Sequence, residues 1–328
     1  MRSPTRARIP HLVCLAAAAV GSLSLTACGG ATHSASAGRT TSTKRASTLP
    51  GAGRPVVTVG DKNFTEQFVL GELYYQALMA RGFSVLLNRN IGPTEVTLQA
   101  LQSGKLSIYP EYLDTWNSSI AGQRRTFRTP NAAYQAGQRY ALAHGLELLN
   151  PTRFSDTDAV GVSFNYAVQN GLSTIGDLRK VASSLNFGAP PQFQQSQTGL
   201  SALEQAYGFT PAAFKPLEIG AQYKALDAGT VQAADVNTTD AQLTTGNYSL
   251  LRDPRKVFGW GNVVPVVSVR VLDAEGPAFA ATINRVSSLL TLPIIRQLNA
   301  AVDIAGEDPA VVAKQFLIAH GLVPASPS

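Results

Sequence analysis

Short apolar runs and helix-spaced apolar residues take turns along most of this chain. Val56 to Val59 form a brief apolar run that stops at Gly60 and Asp61, as a buried strand running into a loop would. Leu70, Leu73, Tyr74 and Ala77 then recur at helical spacing until Gly82, and Asn63 with Glu66 three residues later has the pattern of a capping box. The order returns with the strand "FSVLL", the loop "NIGPT", the helical stretch "EVTLQALQSG" and a third strand "LSIY" that leads into Pro110, Glu111 and Tyr112. Strands and helices alternating at this length predict an α/β fold with parallel pairing and right-handed crossovers.

A second series occupies the chain from about Asp158 to Leu251. It reads strand "AVGVS", helix "TIGDLRKVA", strand "LNFGA", helix "GLSALEQAYG", a strand near "PLEI", helix "AQYKALDAG" and strand "AADV". The segment "QALQSGKLSIYPEYLDT" has an echo in "KALDAGTVQAADVNTTD", residues 224 to 240, so the second series reads as a lobe built like the first. The apolar run "VVPVVSV" is predicted to return to the first lobe. Three helical stretches follow, the last opening on Asp308 as cap and Pro309 and closing at Gly321. In open parallel sheets ligands bind beyond the carboxyl ends of the strands, which brings together the loops carrying Lys62 and Asn63, Pro93 and Thr94, and Glu111, Tyr112 and Thr115.

The first residues follow another logic. A basic start (Arg2, Arg6, Arg8) precedes the apolar stretch "LVCLAAAAVGSLSL" and then "LTAC", which resembles a bacterial lipobox. Residues 1–27 are expected to be an export leader, and Cys28 the first mature residue and the site of lipid attachment, anchoring the protein to the outer face of a membrane. Cys14 leaves with the leader, so no disulfide is expected. The Ser, Thr, Ala and Gly composition of residues 28–54 reads as a flexible tether. This segmentation also relocates the charge. Six of the 27 basic residues precede residue 51 and no acidic residue does, so the remaining 21 basic residues balance the 21 acidic ones. The globular part has no excess charge for a phosphate backbone, and no nucleic-acid partner is expected.

Chemistry narrows the picture by what it lacks. His11 and His33 lie in leader and tether, while His144 and His320 each end a helical stretch, where a ring nitrogen meets the last carbonyls. There is no HExxH, Walker loop, dinucleotide glycine pattern or cysteine cluster, so no metal, cofactor or catalytic residue is expected and an enzyme is not predicted. Phe64 and Phe68 are expected to pack the first helix onto its sheet, and Trp116 to fill the core, with Trp260 between the lobes at hinge or rim.

The stretches "VGDKNFTEQFVLGEL", "GPTEVTLQALQSG" and "IYPEYLDT", followed by "FGAPPQF", "QYKALDAG" and "VDIAGEDPAVVAKQFL", resemble the substrate-binding proteins of osmoprotectant ABC importers, which take glycine betaine, carnitine or choline. The resemblance runs from Val56 to Val323. It implies the two-lobed periplasmic-binding-protein fold of type II, with lobe 1 at 55–155 and 255–328, lobe 2 at 156–254, and a hinge between them. It also implies a monomer that closes on a small solute and presents it to a membrane permease with its ATPase; a sensor of the same fold that signals without transport stays open. Carried over residue by residue, the implied ligand contacts are Lys62, Tyr112, Thr115 and Tyr223, to which the loops beyond the strand ends add Asn63 and Thr94. Three positions depart from the family pattern: Asp158 stands where relatives have a tyrosine, Asn237 where they have another, and Ser196 where an arginine holds the ligand carboxylate. With Gln192, Gln194 and Gln195 nearby, these departures point from glycine betaine toward a ligand whose ammonium donates hydrogen bonds, or toward a larger polar cation.

Overall fold

The pairing of the strands follows from which of them are buried on both faces. In the computed structural model, which describes residues 49–325, lobe 1 begins with β1 (Val56–Gly60), α1 (Thr65–Ala80), β2 (Ser84–Asn88), α2 (Thr94–Gln102) and β3 (Ile108–Tyr112). A short helix α3 (Leu113–Thr115) runs into a π-helical turn (Trp116–Ile120), followed by α4 (Pro130–Ala143) and β4 (Leu146–Leu148). The second lobe holds β5 (Asp158–Ser163), α5 (Phe164–Asn170), β6 (Asn186–Ala189), α6 (Leu200–Tyr207), β7 (Ala213–Pro216), α7 (Gln222–Asp227), β8 (Ala233–Asn237) and β9 (Tyr248–Leu251). The chain then returns with β10 (Val263–Ser268) and ends in α8 (Val269–Glu275), α9 (Pro277–Leu289), α10 (Leu292–Asp303) and α11 (Pro309–Ala319). The leader, Cys28 and most of the expected tether lie outside the described residues.

The first sheet has the order β2-β1-β3-β10-β4 and the second β7-β6-β8-β5-β9. Counting each lobe's own strands, the two orders are one and the same: second, first, third, incoming strand, fourth. The incoming strand, β10 in one sheet and β5 in the other, is the one reached by crossing from the opposite lobe. It alone runs antiparallel to both neighbours. The expected parallel pairing therefore holds for β1 with β2 and β3, and for β6 with β7 and β8, but the sheets are mixed. A strand entered from the far lobe arrives at the opposite end of the sheet from one entered through a local helix, so its direction is reversed.

The internal echo is the same feature in one dimension. It superposes α2 and β3 on α7 and β8, the third strand of each sheet, and places Tyr112 opposite Asn237 in the comparison. Both units turn from helix to strand at a glycine, Gly104 with φ 77° and Gly229 with φ 66°, a left-handed conformation that side chains with a Cβ resist.

Helices cover both faces of the first sheet. Leu70, Leu73, Phe279, Ile283 and Leu317 of α1, α9 and α11 pack on one side, and Leu101, Ala133 and Trp116 on the other. Trp116 is a core residue, as expected, and its Nε1 donates to Gly137 O. His144 and His320 sit at helix ends with Nδ1 2.7 Å from Tyr140 O and 2.8 Å from Phe316 O. Asp308 caps α11 by accepting from Ala310 N.

Several local expectations are corrected. Asn63 does not cap α1: Phe64 is the capping position and makes no side-chain cap, while Glu66 turns into the protein. The helix expected at "TIGDLRKVA" is a 3-10 helix (Ile175–Lys180), bound at its start by Thr174 and Asp177. The strand expected near "PLEI" lies earlier, at β7, leaving Ile219 82% exposed. Four helices, not three, follow β10. Residues 49–54, at the end of the expected tether, are packed on lobe 1: Gly51 N donates to Arg81 O, and Arg54 Nη1 to Ala274 O.

The two crossings between lobes lie side by side. Ser155 and Asn262 form an antiparallel bridge, Asp156 N donates to Gly261 O at 2.9 Å, and Gly261 N donates to Ser155 Oγ at 2.8 Å. A Cβ at Gly261 would stand 1.6 Å from Asp156 O, inside backbone that has no rotamer with which to yield. Gly261→Ala should therefore destabilise the fold by about 1–3 kcal/mol, read as a lower urea midpoint; an unchanged midpoint would show that the crossings are not held this tightly.

Candidate functional site

The wall contributed by lobe 1 is organised around Lys62. This side chain leaves the end of β1 and is only 4% exposed. Its ammonium donates to Thr94 Oγ1, at the first turn of α2, at 2.8 Å and forms an ion pair with Glu111 Oε1 on β3. It also stands 5.3 Å from the centre of the Tyr112 ring. Glu111 in turn accepts from Tyr112 N at 2.8 Å and from the Tyr109 hydroxyl. One buried ion pair thus ties together three strand-to-helix loops and sets the direction of Tyr112. The Tyr112 hydroxyl donates to Glu66 Oε1 at 2.9 Å, and Phe64 stacks on its ring at 6.0 Å.

Opposite stands a wall of lobe 2 built from the starts and ends of β5 and β8, where Asp158 pairs in register with Asn237. Between the walls is a cleft of about 740 Å³. Its lining includes six carboxyl groups, those of Glu66, Asp114, Asp156, Asp158, Asp240 and Asp303, against the single cation Lys62 among the described residues. The cluster leaves its mark on protonation. Burial above all raises Asp158 to about 6 and Asp114 to about 7, the latter also pushed up by Asp158 and Glu111 and opposed by the Thr115 amide. Asp156 is driven well above the ordinary carboxylate range by burial, then by Glu66. Glu66 and Asp240 are raised for the same first reason, although Glu66 accepts from Tyr112 and Asn299, and Asp240 from Tyr223 and the Asn237 amide.

Helix α10 closes the floor. Asn299, 4% exposed, donates through Nδ2 to Glu66 Oε2 of lobe 1 at 2.9 Å and to Thr239 O of lobe 2 at 3.1 Å. Because both partners are acceptors, the orientation of this amide is determined, and its Oδ1 is left buried without a donor, on a residue that lines the cleft.

Of the residues singled out from sequence, Lys62, Asn63, Thr94, Tyr112, Thr115, Asp158 and Asn237 all line this cleft. Gln192 and Ser196 line a smaller cavity of about 290 Å³ that shares Asp158, Ile219, Gln222 and Asn237 with it; Gln194 and Gln195 line neither. Tyr223 is a correction. It is not part of the lining but sits behind it, donating to Asp240 Oδ2 at 2.8 Å and packed edge-on against Tyr248. Phe64 is another, being 40% exposed at the cleft instead of buried under α1. Sequence reasoning missed Glu66, Asp114, Asp156, Asp240, Asn299 and Asp303. Glu66 carried a signal that was assigned to capping, and Asp114 and Asp240 occupy the loops after the two echoed strands. Asn299 and Asp303 lie on a helix far along the chain, with no local signature.

Two mixed sheets of shared topology, joined by paired crossings and facing each other across a polar cleft, define a two-lobed solute-capturing protein. The family described as "Substrate binding domain of ABC-type glycine betaine transport system" matches residues 55–319, and the chain belongs to this family. It is 31% identical over 277 residues to the glycine-betaine-binding protein of Pseudomonas aeruginosa, covering 81% of this chain and 88% of that one. It is 28% identical to the glycine betaine-binding protein YehZ of Escherichia coli, covering 83% and 93%. Its fold is that of a solved glycine betaine/carnitine/choline ABC transporter structure, with a TM-score of 0.76 at 22% identity over 81% of this chain and 99% of the other. The fold is the type II periplasmic-binding-protein fold, and the chain is the solute-binding component of an ABC-type transport system.

Removing one partner of a buried ion pair strands the other. Lys62→Met should cost about 3–5 kcal/mol in chemical denaturation, and adding Glu111→Leu should recover most of it; no recovery would show that Lys62 acts alone. A second expectation concerns pH. Between the ordinary aspartate value of 3.8 and the raised values of about 6 and 7, the folded chain holds more protons than the unfolded one, so stability falls as pH rises. The melting temperature of the ligand-free protein should be higher at pH 5 than at pH 7.5, and the reverse order would contradict the raised carboxyls.

Proposed function

We propose that this chain captures a small organic cation that carries no carboxylate, by closing its two lobes over the acidic cleft, and delivers it to a membrane permease. The observation that carries this reading is the excess of carboxyl groups around a cleft whose single lysine is already paired. Glycine betaine and carnitine each place a carboxylate on the ligand. In this cleft that group would face Asp and Glu side chains with no free cation to receive it, and bringing like charges together in a closing, water-poor site is costly. Tyr112 and Phe64 supply aromatic faces for the cationic end. Asp158, Thr115 and Asn237 supply polar contacts, with Lys62 and Thr94 holding the wall in place and Tyr223 steadying Asp240 from behind.

The same reading gives the chain its place in the cell. Residues 1–27 direct export, Cys28 carries the lipid, and a tether leads to a monomeric body with lobe 1 at 55–155 and 255–328 and lobe 2 at 156–254. The leader composition and the "LTAC" stretch support this, as does a family whose members serve transport systems. Catalysis has no part in the proposal.

A thermal-shift screen tests the cleft, because a ligand that binds only the folded state raises the melting temperature. Choline and simple amines should stabilise the protein more than glycine betaine, carnitine or neutral amino acids. Asp158→Asn and Tyr112→Ala should each reduce the shift from the best cation by more than half. A largest shift from glycine betaine that survives Asp158→Asn would remove the argument from charge.

A further inference from the structure

The cleft continues into lobe 2. The smaller cavity that shares Asp158, Ile219, Gln222 and Asn237 with it is lined further by Gln192, Phe193, Ser196 and Asp235. Asp235 lies two residues before Asn237 on β8 and so on the same face of the strand, while Asn237 is the register partner of Asp158 on β5. That places Asp158 and Asp235 diagonally across one strand pair, a relation in which neighbours are about 7–8 Å apart and their Cβ atoms somewhat closer. Asp235 Oδ1 is buried and accepts no hydrogen bond. Its carboxyl is raised to about 9, by burial first and then by Asp158 and Asp240.

The lining of each cavity therefore includes a residue with a buried acceptor that has no donor. In the main cleft it is the fixed Asn299 Oδ1, 4% exposed at its residue and without a donor; in the annex it is Asp235 Oδ1. A quaternary ammonium has no N–H and satisfies neither. A single primary ammonium reaches one. Ile219 and Gln222 line both cavities, and Phe193 and Gln192 add an apolar surface suited to methylene groups and a second amide in the annex.

We propose that the solute is an elongated oligoamine, with one ammonium in the main cleft at Asn299 and a second in the annex against Asp235. This rests on the reading of the cleft as an organic-cation site and specifies its ligand. Binding then has an electrostatic logic: burial and the neighbouring Asp158 keep Asp235 protonated, and a chain bearing two ammonium groups lets both ionise together.

Calorimetric titration of the full chain with putrescine, spermidine, butylamine and choline decides the matter. Putrescine should bind at least about ten-fold more tightly than butylamine. Asp235→Asn, close in shape to the native residue and checked for folding by its melting temperature, should remove that advantage. Repeating the titration in buffers of different ionisation enthalpy should show more protons released by putrescine than by butylamine at pH 7.5, since Asp235 must ionise to meet the second ammonium. Putrescine and butylamine binding equally, while choline or butylamine binds well, would overturn the oligoamine and leave the cation cleft standing. Binding by none of the four would overturn both.

Discussion

The ion pair between Lys62 and Glu111 is the constraint on which the cleft depends. It is buried, so neither charge can be left alone, and its geometry reaches three loops at once through Thr94 and the Tyr112 amide. With those loops joined, Tyr112 is aimed at Glu66, and Glu66 in turn at Asn299 on a helix more than two hundred residues further along. The lysine that looks from its position like a ligand contact thus has its chemistry directed inward. What it leaves behind is a cavity whose remaining charged groups, among the described residues, are of one sign.

That remainder is the source of the selectivity argument. Members of this family share the two-lobed frame, and the frame says little about which solute it closes on. Here Asp158 stands at the start of β5 and Asn237 at the end of β8, while Ser196 lies beyond the 3-10 turn that follows β6, all places where a substitution changes the lining without disturbing the sheet. Carboxyl groups raised by burial cost the fold stability at neutral pH, and under the proposed reading a bound cation relieves that cost, which couples stability to binding.

The repeated topology explains how such a site can be assembled from distant segments. Each sheet receives one strand from the other lobe, so the two crossings must run together, and Gly261 allows their backbones to touch. The echoed helix-to-strand units then point the ends of β3 and β8 at one another. Helix α10 completes the arrangement by hydrogen-bonding both lobes, Arg296 to Thr238 O and Asn299 to Glu66 and Thr239.

The alternation of strands and helices, the return of the chain through β10, the echo between the lobes and the grouping of Lys62, Thr94, Tyr112 and Thr115 were all readable in the one-dimensional pattern. These features are local: a buried strand needs a run of apolar residues, a helix needs its spacing, and loops after parallel strands share one end of the sheet. Asp158 and Asn237 drew notice only through the resemblance to a family, as expected departures from its pattern. Other facts required the folded chain. Whether Glu66 caps a helix or faces a cleft, whether Tyr223 or the Asp240 in front of it lines that cleft, and that Asn299 and Asp303 join the lining at all are decided by packing between segments with no sequence relation. The reversed direction of β5 and β10 is of the same kind, because it depends on which lobe the chain arrives from. Charge shows the difference most clearly: the globular part is balanced on paper, and only folding gathers six carboxyl groups around one cavity while pairing the lysine among them.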